Sequence, residues 1–142
     1  MKPLLLLTAV LEAAIGIGLL LSPSFVASLL LGSALDAPGG LVVGRVAGAA
    51  LLALGVACWL GQHDGASRAT RGLVAAMALY NIATAVVLAY GGLIYRLSGI
   101  GLWPTVVLHV ALGAWCIACL RRKSIPQTRN SEVQSKQTIP NI

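Results

Sequence analysis

Four strongly polar residues, Glu12, Arg45, Asn81 and His109, each sit inside a different long apolar run of this chain. If those runs cross a bilayer, each group lies away from bulk water. Ionisable side chains at that depth face the bundle interior or a water-filled cavity and become functional candidates by default. Counting at about 1.5 Å of rise per residue, Glu12 and Asn81 are each nine residues in from one face, roughly 13 Å deep. His109 enters seven residues from the opposite face and reaches a similar layer, whereas Arg45 is only four residues, about 6 Å, from that face. The long Arg45 side chain points either down toward Glu12 or outward to the headgroups. A charged group near a helix centre costs about 2.5–3.5 kcal/mol on insertion scales, so these groups are expected to pair, to neutralise or to meet water. A Glu12–Arg45 ion pair, hydrogen-bonded by Asn81 and His109, would make one polar layer. An unpaired Glu12 would stay protonated.

Two kinds of chemistry fit such a layer. In a ligand site, Arg45 and His109 donate hydrogen bonds to the ligand while Glu12 and Asn81 orient them. In a structural role the same residues are interhelical clamps, individually weak but able to fix helix register. Tyr80 adjoins Asn81, but consecutive helical residues point about 100° apart, so only one of the two need face the core. Met77, Asn81 and Thr84 share one helical face, as do Thr105, His109, Gly113 and Cys116.

Other chemistry is poorly served. Cys116-Ile-Ala-Cys119 has the C-x-x-C spacing, but it lies at a helix C-terminus, where the dipole opposes a thiolate. The third cysteine, Cys58, is also inside an apolar run, so no disulfide framework is indicated. The chain has no phosphate-binding glycine loop, no plausible serine–histidine–carboxylate triad and too few clustered ligands for zinc. No catalytic residue and no cofactor can be named, and the balance is against an enzyme.

The elements that must position these groups follow from composition. The 142 residues are 58% hydrophobic and 10% charged, against roughly a quarter charged in a soluble domain. The expected fold is all-α, an integral membrane four-helix bundle over residues 1–120 with a disordered basic tail over 121–142. The spans are read at about 3–22, 41–61, 72–92 and 102–120, each long enough for a hydrocarbon core of roughly 30 Å. The opening Lys2-Pro3 and apolar run resemble a secretory signal, but Glu12 interrupts the run, which reads as a retained helix. Ser22-Pro23 ends span one. Residues 23–35 are apolar but short, and Ser24, Ser28 and Gly32 recur every fourth residue. They suggest a short interfacial helix, or a kinked extension of span one. Asp36-Ala37-Pro38-Gly39-Gly40 is read as a turn, and Gln62–Arg71 as a polar loop.

The +6 charge is not gathered into a nucleic-acid-sized patch. Lys2, Arg68, Arg71, Arg121, Arg122, Lys123, Arg129 and Lys136 fall on one side of the membrane and Arg96 on the other, which sets both termini in the cytoplasm. Trp59, Trp115, Trp103, Tyr90 and Tyr95 fit interface anchors. Gly44 and Gly48 form a small-xxx-small pair, expected to pack within the bundle, with a homo-oligomer contact as the alternative.

The layout resembles the DoxX-like group of small bacterial four-helix membrane proteins. The matching features are Ser22-Pro23 after a polar-marked first helix, the step Leu31-Gly32, and Gly44-Arg45-Val46-Ala47-Gly48-Ala49 opening helix two, with Gly55 further along. The likeness covers residues 3–120 and implies a four-helix bundle in the bacterial inner membrane. Named DoxX proteins are linked to quinone oxidoreductase complexes and thiol-stress responses, but this chain carries no catalytic signature for either. Small multidrug transporters offer a second likeness through Glu12 and Gly16, although their aromatic and proline-bearing later helices have no counterpart here. The expectation is a non-enzymatic multi-pass protein whose polar core takes a lipophilic or quinone-like molecule, or which serves as an accessory subunit of a membrane complex. A proton-coupled small-molecule transporter using Glu12 and a purely structural membrane protein are the alternatives.

Overall fold

A computed structural model describes residues 1–65 and 67–121. The described residues form five helices: α1 (Lys2–Leu21), α2 (Pro23–Leu31), α3 (Pro38–Gly61), α4 (Arg68–Ile94) and α5 (Leu102–Arg121). All except α2 are long and apolar enough to cross a membrane. Most of the basic tail expected to be disordered, residues 122–142, lies outside the described residues, while Arg121 is the last residue of α5.

Local sequence explains the helix ends. Ser22 leaves helical geometry (φ −144°, ψ 68°) just before Pro23, so α1 and α2 are separate helices. Gly32 ends α2 in the left-handed region at φ 78°, which glycine adopts without a Cβ penalty. Two helices begin earlier than hydropathy predicts. Pro38 occupies the first turn of α3, where its missing N–H costs nothing, so Gly39 and Gly40 are already helical rather than part of a turn. Ser67 caps α4 by accepting from the Thr70 N–H at 3.1 Å, which moves Arg68 and Arg71 out of the loop and into the first turns of the helix.

The helices pack chiefly as two antiparallel pairs, α1 with α3 and α4 with α5. The first pair is a backbone contact. A Cβ on Gly48 would lie 2.7 Å from the Gly16 carbonyl oxygen, and one on Gly55 would lie 3.0 Å from that of Ala9. Gly44 is closed off by Pro23. The small-xxx-small pair is thus used inside the chain, letting backbones approach where hydrophobic force between helices is absent.

The pairs meet at three levels. At the end holding the N-terminus, Leu4, Leu5 and Ala9 of α1 join Cys58, Val74, Met77, Ala78, Leu112 and Cys116 in one core cluster. At the other end α2 bridges: the Gly101 N–H donates to the Leu29 carbonyl at 2.9 Å, and Gly99 sits too close to Leu30 to carry a side chain. Between them lies a polar layer. The outer faces are apolar and exposed, with Val42, Val43, Val46, Leu79, Val86, Val87 and Val107 pointing away from the bundle.

Candidate functional site

The polar layer is assembled from three helices. Asn81, fully buried on α4, donates through Nδ2 to the carbonyl of Met77 one turn back at 2.8 Å. That bond orients the carboxamide and turns Oδ1 toward α5, where it lies 2.8 Å from Nδ1 of His109. A carboxamide oxygen can only accept, so His109 carries its proton on Nδ1, and in the neutral ring Nε2 keeps an uncommitted lone pair. Gly113, one turn along α5, leaves Asn81 room: a Cβ there would be 3.6 Å from that of Asn81.

Tyr80 completes the layer. Its hydroxyl donates to Oε2 of Glu12 at 3.3 Å, a side-chain hydrogen bond from one helix pair to the other. Glu12 is only 5% exposed, so its carboxyl is held among protein groups rather than in the apolar surroundings of the outer faces. The ring of Tyr80 meets that of His109 edge-on, with centroids 5.7 Å apart and planes at 82°. The residues run Glu12, Tyr80, His109, Asn81 across the bundle. Both rings are only half-buried, whereas the two groups they contact are buried.

Three of the four residues expected from sequence are therefore brought to one layer, and Arg45 is not. The Glu12–Arg45 ion pair gives way to other partners. Arg45 is exposed and donates from Nε to the carbonyl of Leu20 at 3.3 Å. Leu20 belongs to the last turn of α1, where carbonyls lack helical partners and the dipole favours a cation. Eight residues separate Leu20 from Glu12 along α1, roughly 12 Å. Arg45 thus caps the last turn of α1, and the Nδ1 donor of His109 is directed to Asn81.

Tyr80 is the member that sequence reading left out. Its signal was its position four residues before Thr84 and next to Asn81 near mid-helix, too deep for an interface anchor. The aromatic residues assigned to the boundaries do lie outward: Trp59, Trp103, Trp115, Tyr90 and Tyr95 are all exposed. Among the described residues no group of three metal-ligating side chains could hold an ion. Cys58 and Cys116 are fully buried in the apolar core cluster.

Two groups are not engaged by the bonds above. His109 Nε2 can accept a hydrogen bond, and the second oxygen of Glu12, in a carboxyl without an ion-pair partner, can donate or accept one. Comparison with known proteins finds no matching family model, no matching curated protein and no matching solved structure.

Proposed function

We propose that this chain is a four-span integral membrane protein of the bacterial inner membrane, both termini cytoplasmic, whose polar layer binds the hydroxyl-bearing head of a lipophilic molecule such as a quinol. The observation that carries this reading is the Tyr80–Glu12 hydrogen bond between helix pairs, beside a half-buried His109 whose Nε2 is free to accept. A layer built only for packing would have its polar atoms engaged, as Asn81 does with both ends of its carboxamide. The role is binding or accessory to a membrane complex, in line with the DoxX-like resemblance of the sequence.

The test is native mass spectrometry and quinol-analogue titration of the purified chain, comparing wild type with Glu12→Gln and Tyr80→Phe. Loss of at least ten-fold in retained ligand, with thermal stability kept, supports the site. Equal retention in all three, or wild type that takes up no hydroxyl-bearing lipophile, overturns it.

One feature favours a proton-coupled carrier as the second reading: the carboxyl of Glu12 lies at the junction of the two helix pairs, bonded across it to Tyr80. In that case Glu12→Gln abolishes pH-dependent flux in proteoliposomes.

A further inference from the structure

At the end of the bundle that holds the N-terminus, a cavity of about 460 Å³ opens beside the polar loop after α3. Its walls include Lys2, Leu5, Gly61, Gln62, His63 and Gly65. Gln62 is the unusual member. It is 7% exposed, yet among the described residues its carboxamide makes no hydrogen bond. Its polar atoms are not sealed from solvent either, because among the described residues no buried side-chain nitrogen or oxygen lacks a partner. A side chain that is mostly buried but whose amide atoms reach the cavity presents two donors and an acceptor to whatever occupies it.

The electrostatics of the cavity select the sign of that ligand. One wall is the first turn of α1, which has no side-chain cap and presents the positive end of its dipole with the Lys2 ammonium beside it. The opposing wall is the C-terminus of α3, whose negative end is quenched by its own donors. Cys58, Leu60 and Gly61 accept from the N–H groups of Gln62, His63 and Asp64, and Thr70 Oγ1 also donates to Gly61. Asp64, exposed on the same loop, is not part of the wall. Arg68, Arg71 and Arg121 are carried at the same end of the bundle by the first turns of α4 and the last of α5.

We infer that this cavity seats the phosphodiester headgroup of an anionic glycerophospholipid, with Gln62 donating to a phosphate oxygen and Lys2 and His63 supplying cationic or donor contacts. The lipid is favoured over a free phosphate ester because the cavity lies where α1 begins and α3 ends, and its remaining walls, such as Leu5, are apolar. The inference rests on the membrane-spanning reading but is independent of the polar layer around Glu12.

The full chain in detergent is exposed to equimolar phosphatidylglycerol and phosphatidylcholine, and retained lipid is counted by native mass spectrometry. Phosphatidylglycerol is expected to be retained about ten-fold over phosphatidylcholine. Gln62→Leu should cut that retention at least five-fold, and Lys2→Gln and His63→Gln should each weaken it. The last two residues are exposed, so those variants keep the fold even if Gln62→Leu does not. Equal retention of the two lipids, or retention unaffected in both exposed variants, overturns the proposal. Displacement of phosphatidylglycerol by millimolar glycerol phosphate or inorganic phosphate overturns it in favour of a soluble phosphate ester. Glu12→Gln should leave this lipid preference unchanged, which separates a failure here from a failure of the polar-layer site.

Discussion

Asn81 commits its carboxamide nitrogen to Met77 and its oxygen to His109, so it both fixes its own rotamer and ties α4 to α5. Replacing it by leucine of similar size removes the clamp and frees His109 Nδ1. Interhelical bonds of this kind are worth about 0.6 kcal/mol on average and up to about 1.7. Asn81→Leu is expected to lower stability within that range in detergent unfolding. A double-mutant cycle with His109→Leu should assign most of the loss to their mutual term; additive losses would show that the clamp is not a unit. At this scale the sequence was informative where a polar group stood alone in an apolar run, which singled out Glu12, Asn81 and His109. It was silent where a side chain is long or amphipathic. The reach of Arg45 lets it serve either end of its span, and Tyr80, about 100° around the helix from Asn81, needs a long side chain to reach the same layer.

Between α1 and α3 the contact is made by backbone, and that makes it intolerant of volume. The Cβ of Gly48→Ala would meet the Gly16 carbonyl at 2.7 Å and the Leu20 nitrogen at 2.9 Å, neither of which can rotate away. The helices must separate, at an expected cost of about 1–3 kcal/mol. Gly72 is the matched control, since a Cβ there meets nothing within 4 Å and the residue lies inside α4. Gly72→Ala is expected to stabilise by about 0.5–1 kcal/mol through helix propensity. Thermal unfolding of both variants decides the matter, and a neutral Gly48→Ala would contradict the close approach. The elements themselves were largely legible, because length and apolarity fix spans and Pro23 fixes the break. Helix starts were less so. Hydropathy falls off before the capping residues do, which hid the turn supplied by Ser67 and the first-turn role of Pro38.

For the molecule as a whole, the grouping into two pairs could not be read from the chain. Four apolar helices satisfy the same hydropathy in any pairing, and only the placement of glycine against glycine decides which backbones touch. Which ends lie together is simpler. The starts of α1 and α4 and the ends of α3 and α5 share one side, bringing Lys2, Arg68, Arg71 and Arg121 together. Under the positive-inside rule that side is the one proposed to be cytoplasmic. Cysteines introduced as Ser98→Cys and Asp64→Cys test it, since both positions are exposed loop residues at opposite ends. An impermeant maleimide should label Ser98→Cys in intact cells and Asp64→Cys only after permeabilisation; the reverse pattern would invert the topology.

The bond between Tyr80 and Glu12 spans 68 residues of chain, and this separation matters while the protein is being made. At roughly 5–20 residues per second, about 3–14 s pass between synthesis of the carboxyl and synthesis of the hydroxyl that will meet it. During that interval Glu12 has only the upstream chain around it, and α3, whose Gly48 and Gly55 lie against α1, is synthesised before α4. The α1–α3 contact is encoded entirely upstream of Tyr80, so the backbone pairing of the first two long helices and the hydrogen bond to Glu12 depend on different stretches of chain.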